Sequence, residues 1–173
     1  ADAILDKVDS LGLTVEAILL THGHFDHVGA VTAIWEKYDC ALWMSQGDYS
    51  YPATALTKTF YPLANCDFTE VQFCEEGECI TAGGLTFTVM ATPGHTWGSV
   101  CYLCEDAMFC GDTLFAGSCG RTDFIGGSTS QILLSLKRLV ELEGNLRVCP
   151  GHDRITDLDT EREHNPYVRQ ALR

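Results

Sequence analysis

Positive charge is scarce in this chain. In 173 residues, 11 Lys and Arg face 24 Asp and Glu, leaving a formal net charge of −13. Nucleic acid and anionic membrane surfaces both select a basic footprint, so neither is expected as a partner. No apolar run approaches membrane-spanning length, and the opening ADAILDKVDS has neither the basic nor the apolar region of a secretion signal. A cytoplasmic location is the expectation; the first residue is not Met, which leaves room for residues upstream. Internal repeats, low-complexity tracts and linkers are also lacking. The length suits one core, so residues 1–173 are read as a single α/β domain.

Cysteine, in contrast, is plentiful, with nine residues. Their odd number, and the strand-like runs VCYLC and AMFCG that hold several of them, point to buried free thiols rather than disulfides. The CxxC of Cys101 and Cys104 has no second pair nearby and is read as core packing.

Hydrophobic spacing supplies the elements. Ala3, Ile4, Val8 and Leu11 recur at helical intervals before Gly12, a natural stop. VEAILLTH is a short continuous apolar run, suited to a strand buried on both faces, and VGAVTAIWEKY returns to helical spacing. Residues 45–79, with Tyr49, Tyr51, Phe60 and Tyr61, read as a loop-rich insertion over the sheet. LTFTVMATPGH alternates as a strand should, SVCYLCEDAMFCGD reads as a hairpin turning at Glu105-Asp106, and STSQILLSLKRLVELEG as a helix capped by Ser128 and stopped by Gly144.

The most informative stretch is AILLTHGHFDHVGA, residues 17–30. Side chains two apart on an extended segment point the same way, so His22 and His24 can share one metal. The turn into the next helix carries Asp26 and His27 to a neighbouring position, making two adjacent sites possible. A bland alternative is a set of surface histidines at a helix start. Three further candidates each follow a predicted strand: His95 in TPGHT, Asp112 in CGDT and His152 in CPGH. Ligands at the ends of neighbouring strands converge on one edge of a sheet.

HxHxDH at 22–27, followed in order by His95, Asp112 and His152, resembles the metallo-β-lactamase superfamily. Within it, GDTLFAGSCGRTDF (111–124) and EREHNPYV (161–168) are similar to the small glyoxalase II-like hydrolases. The likeness covers essentially the whole chain. It implies a four-layer αβ/βα sandwich in which His22, His24 and His95 hold one metal, Asp26, His27 and His152 hold a second, and Asp112 bridges them. The cofactors would be two divalent ions, zinc first, with iron or manganese as alternatives because these positions include no cysteine. Such a pair would supply hydroxide at neutral pH, with Asp26 orienting it, and would polarise a carbonyl. A thioester's thiolate departs without a strong acid, which favours thioesters such as S-lactoylglutathione as the small-molecule partner.

Alternatives stay open beside this dinuclear hydrolase. One is a persulfide dioxygenase-like oxidoreductase with a single Fe(II) on His22, His95 and Asp112. Others are a lactonase or β-lactamase on the same fold, or a module that only binds. Family members carry strands before the helix with which this chain opens, so the first sheet is expected to be short of members and to expose an edge. No counterpart of the glutathione-binding helical domain of full-length glyoxalase II is expected after NPYV. Trp97 is expected to narrow the pocket, Arg121 and Asp123 to brace the metal-binding loop, and His164 to be an ordinary surface residue. Oligomeric state is not legible.

Overall fold

Short apolar runs punctuated by Gly, Asp and Glu favour strands, and in the computed structural model, which describes residues 1–49 and 70–173, those runs build two facing sheets. The first joins β1 (Ala17–Leu19), β2 (Ala41–Met44) and β3 (Val71–Phe73), all parallel. The second takes β4 (Cys79–Ala82), β5 (Leu85–Ala91), β6 (Val100–Cys104) and β7 (Ala107–Gly111). Beyond the small hairpin of β8 (Leu114–Phe115) and β9 (Ser118–Cys119), it adds β10 (Arg147–Pro150) and β11 (Thr156–Asp157). Its order is β11-β10-β7-β6-β5-β4, antiparallel except for β10 beside β7. The described helices are α1 (Asp2–Ser10), α2 (Phe25–Val28), α3 (Val31–Tyr38), α4 (Gln46–Tyr49), α5 (Thr129–Val140), α6 (Leu158–His164) and α7 (Pro166–Ala171).

Strand alternation sorts side chains into layers. Ile18, Leu20, Leu42 and Met44 pack on Val28 and Val31 from the helices outside the first sheet. From the opposite face, Leu19 and Trp43 meet Ile80, Val89, Val100 and Tyr102 between the sheets. Met90, Cys101, Met108, Cys110 and Val148 line the outer face of the second sheet beneath Leu136, Leu139 and Val140 of α5. Helix, sheet, sheet and helix follow one another, the four-layer αβ/βα sandwich of the metallo-β-lactamase type. Ser128 caps α5 by accepting from the Gln131 N–H, as its sequence suggests. Glu105-Asp106 is the turn between β6 and β7, with Glu105 at φ +52.

Several elements depart from expectation. No residue of α1 is buried, and Ile4 within it and Leu11 just after it are 48% and 55% exposed. The helix is fixed instead at Asp9, which accepts from Lys37 Nζ and the Tyr38 hydroxyl. β1 is not buried on both faces, because Ala17 and Leu19 open into a cleft of about 460 Å³ shared with Phe87, Tyr102, Phe109, Cys149 and Pro150. Its far edge pairs with no strand among the described residues. The helix expected over VGAVTAIWEKY is broken at Gly29 and Ala30 into α2 and α3. Val71–Phe73 is a sheet strand rather than part of a loop-rich insertion, paired with Leu42–Met44. Three residues are too few to show a period. Residues 50–69, with Tyr51, Phe60, Tyr61 and Cys66, lie outside the described residues. The eight described cysteines are free thiols, five of them buried; Cys79 is exposed, against expectation.

Candidate metal centre

Each candidate ligand follows the C-terminal end of a strand. His22, His24, Asp26 and His27 follow β1, His95 follows β5, Asp112 follows β7, and His152 follows β10. The fold therefore brings all seven to one edge. Gly94, at φ +137, lets the His95 loop run against the start of α5, where a side chain would collide with the Ile132 backbone.

Three overlapping groups can each present ligand atoms within 4.8 Å of one another: His22, His24 and His95; His22, His27 and Asp112; and Asp26, His27 and His152. His24 Nδ1 lies 2.8 Å from His95 Nε2. Two imidazole lone pairs at that distance repel unless a proton or a cation lies beside them. Asp112 sits centrally, with Oδ1 at 3.3 Å from His27 Nε2 and Oδ2 at 3.5 Å from both His95 Nε2 and His152 Nε2. Asp26 Oδ2 stands 3.1 Å from His152 Nε2.

Burial grades across the cluster. His22 and His95 are 1% and 2% exposed, whereas the side chains of Asp26 and His152 are 36% and 49% exposed and face solvent. The buried end holds three polar atoms outside any well-formed hydrogen bond: His22 Nε2, and His27 Nε2 and Asp112 Oδ1, which face one another at 3.3 Å. Buried polar atoms without good partners are costly, and three converging in one place are the signature of a cation site. His95 Nδ1 donates to the Arg121 carbonyl at 2.8 Å, which turns the lone pair of Nε2 inward. Imidazole and carboxylate donors without thiolate suit zinc, iron or manganese, so the donor set fits divalent metal.

Burial, and next the neighbouring His27, hold the His22 imidazole well below its ordinary value. Burial followed by His95 pushes His24 down to about 4. Burial alone would raise the Asp112 carboxyl, but His27, His95 and His152 outweigh it and hold it low. Neutral rings and an ionised carboxylate are the forms a cation needs. One consequence is testable without metal. An unfolded chain protonates these imidazoles near pH 6.5 while the folded chain keeps them neutral, so the unfolded state binds more protons between 6.5 and about 4. Thermal melts in chelator should therefore show stability falling as pH drops through that window; a flat profile would contradict the buried neutral cluster.

Other residues singled out by sequence take plainer parts. Arg121 and Asp123 form an exposed pair at 2.7 Å, and the guanidinium stacks 3.8 Å over the Phe124 ring. It is the Arg121 carbonyl that steadies His95. Trp97 is 57% exposed. Tyr49 packs edge-on against Phe73. His164 is exposed, with Nδ1 at the Thr160 carbonyl. Cys101 and Cys104 are core residues.

Two buried carboxylates escaped the sequence reading. Asp48, fully buried, accepts from the Gly23 N–H, the Gly98 N–H and the Thr96 hydroxyl. Glu161, 2% exposed, accepts from the Gly117 N–H, the Thr156 hydroxyl and the Asn165 amide, tying α6 to the β8–β9 hairpin that follows Asp112. Neither lies at a spacing that links it to the histidines, so the sequence carried no signal of contact.

Comparison with known proteins agrees with this geometry. Residues 1–152 match the model of the metallo-β-lactamase superfamily, and the chain belongs to that family. It is 37% identical over 163 residues to "Probable metallo-hydrolase YqgX" of Bacillus subtilis (strain 168), covering 91% of this chain and 77% of the relative. Among solved structures, TTHA1623 in a di-iron-bound form is 37% identical with a TM-score of 0.86, over 96% of this chain and 84% of that one. ETHE1 from Myxococcus xanthus is 35% identical with a TM-score of 0.78, over 95% and 68%. The chain is thus a metallo-hydrolase-type member of the superfamily, with His and Asp groups placed for divalent metal.

Proposed function

We propose that the protein is a dinuclear metal-dependent hydrolase of thioesters, S-lactoylglutathione or a chemically similar acyl thiol. The observation that carries this reading is the convergence of seven ligand-type side chains on one edge, with three buried polar atoms among them outside any well-formed hydrogen bond. His22, His24 and His95 would hold one ion and Asp26, His27 and His152 the other. Asp112, whose two oxygens reach rings of both groups, would lie between them. Bound there, two divalent ions would supply an activated water and a Lewis acid for the carbonyl. Zinc fits these donors, and the di-iron form of TTHA1623 makes iron an equal candidate.

The chain's own groups divide the remaining work. Asp26, partly exposed and 3.1 Å from His152, can accept a proton from water at its Oδ2 and hold that water toward the substrate. The Arg121 carbonyl keeps the His95 ring in one tautomer. A thiolate leaving group departs without a strong acid, whereas an amine would require one.

A second reading rests on the uneven burial. His22 and His95 are 1% and 2% exposed and the Asp112 side chain 10%, and these three would offer two histidines and one carboxylate to a single Fe(II) and an oxidative reaction. Assays with S-lactoylglutathione under nitrogen, beside oxygen uptake with glutathione persulfide, separate the two. Hydrolysis without oxygen is the expected result. Oxygen consumption with no thioester cleavage would replace the hydrolase by the oxidoreductase.

A further inference from the structure

Asp48 stands outside the ligand set, yet its carboxylate touches both loops that carry His22, His24 and His95. Oδ2 accepts from the Gly23 N–H at 2.7 Å, in the peptide between His22 and His24, and from the Thr96 hydroxyl at 2.8 Å, beside His95. Oδ1 accepts from the Gly98 N–H at 2.7 Å, two residues further along the His95 loop. The fit is close. A side chain at Gly98 would collide with Ser45 Oγ, the Asp48 backbone nitrogen and Asp48 Oδ1. The Thr96 hydroxyl also meets Ser99 Oγ at 2.6 Å, so it is held from two sides.

These loops come from different strands, β1 and β5, and a backbone bond from the Val100 N–H to the Thr21 carbonyl at 2.9 Å ties them at their base. Asp48 adds bonds at the level of the ligands themselves, where a displacement of about 1 Å is enough to spoil a preorganised site. A charged acceptor at the centre of three donors makes strong hydrogen bonds inside a dry pocket. No bond runs from Asp48 to the Asp26, His27 and His152 group.

We propose that Asp48 is a positioning residue, a buried clamp that sets the spacing of His22 and His24 against His95 and thereby tunes one metal site without ligating it. The proposal rests on the metal-centre reading. Its prediction is selective: removing the clamp weakens the ion held by His22, His24 and His95 and spares the one held by Asp26, His27 and His152. Asp48→Asn keeps the shape but forces an amide NH₂ against at least one of the three donors.

The test measures zinc affinity by competition with a chromophoric chelator in two single-site backgrounds. His152→Ala leaves the buried trio intact, and His24→Ala leaves the solvent-facing trio. Adding Asp48→Asn should weaken zinc about 10–100-fold in the His152→Ala protein, as loss of a ligand-orienting group does, and less than about threefold in the His24→Ala protein. Leu139→Ala, a core truncation remote from both loops, controls for lost stability and should leave both affinities near their starting values. Equal weakening in both backgrounds, or none in either, overturns the clamp. If Asp48→Asn does not fold, Thr96→Val removes one of the three bonds at constant volume and should show the same selectivity at about tenfold; its absence overturns the proposal equally. Wild-type protein that takes up no zinc would instead overturn the metal-centre reading itself.

Discussion

Replacing Asp112 by Asn should reduce metal content below that of the wild type and lower thioester hydrolysis by roughly 10²–10³-fold or more, the scale of losing one group that stabilises charge at a reacting centre. Asp112 supplies negative charge among three imidazoles, with His27, His95 and His152 each within 3.5 Å of one of its oxygens. An amide is neutral, and its NH₂ would point a donor at a site that asks for a second acceptor. The side chain is only 10% exposed, so water cannot easily take its place. Elemental analysis of the purified variant, beside steady-state kinetics, checks both parts. Wild-type metal content with full turnover would remove Asp112 from the centre.

A second large effect needs no change of chemical group. A Cβ at Gly120 would collide with the Asp112 carbonyl oxygen and stand 3.2 Å from His95 Cγ. The first contact is with backbone, which cannot rotate away, so Gly120→Ala must displace the segment bearing Asp112 or the ring of His95. Overpacking of this kind costs about 1–3 kcal/mol. Here it should also weaken metal uptake, since at least one candidate ligand moves. Gly117→Ala is the matched control. Gly117 has φ +72 but open space around its Cβ, so that substitution strains the backbone without pushing on a ligand. Urea unfolding and metal titration on both variants test the contrast: Gly120→Ala should lose stability and metal, Gly117→Ala stability alone. Equal metal uptake by the two would contradict the geometry.

HxHxDH was legible because the ligands are local and the spacing states the chemistry. His95, Asp112 and His152 were legible because each follows a strand whose apolar run is clear. The amphipathic α5 could be read with its Ser128 cap, since helical period and capping chemistry agree there. α1 shows the limit of the same method. Its apolar positions follow a helical period, but period alone does not say what covers them, and Ile4 and Leu11 remain exposed. β3 was missed because three residues with mixed exposure carry no alternation. Asp48 and Glu161 were missed for another reason. A lone Asp in SQGDY and a Glu in a charged helix look like surface residues, and only the fold closes the 25 residues between Asp48 and Gly23, or the 44 between Glu161 and Gly117, into hydrogen bonds.

The buried carboxylates also explain how loops rather than strands can hold a precise site. Asp48 fixes the two loops at the deep end, while Glu161 and Asn165 fasten the hairpin after Asp112 to the C-terminal helices through the carbonyls of Phe115 and Ser118. Three ligand-bearing stretches of chain are thereby held around one small volume, and Nε2 of His22 and of His27 are left facing it.

The central claim is that the seven side chains form a two-ion centre. Its most direct test is the metal content of the purified chain after reconstitution and removal of free metal, measured by elemental analysis against protein concentration. The account predicts about two ions per chain, as two-metal hydrolytic sites hold. One ion or none would contradict it.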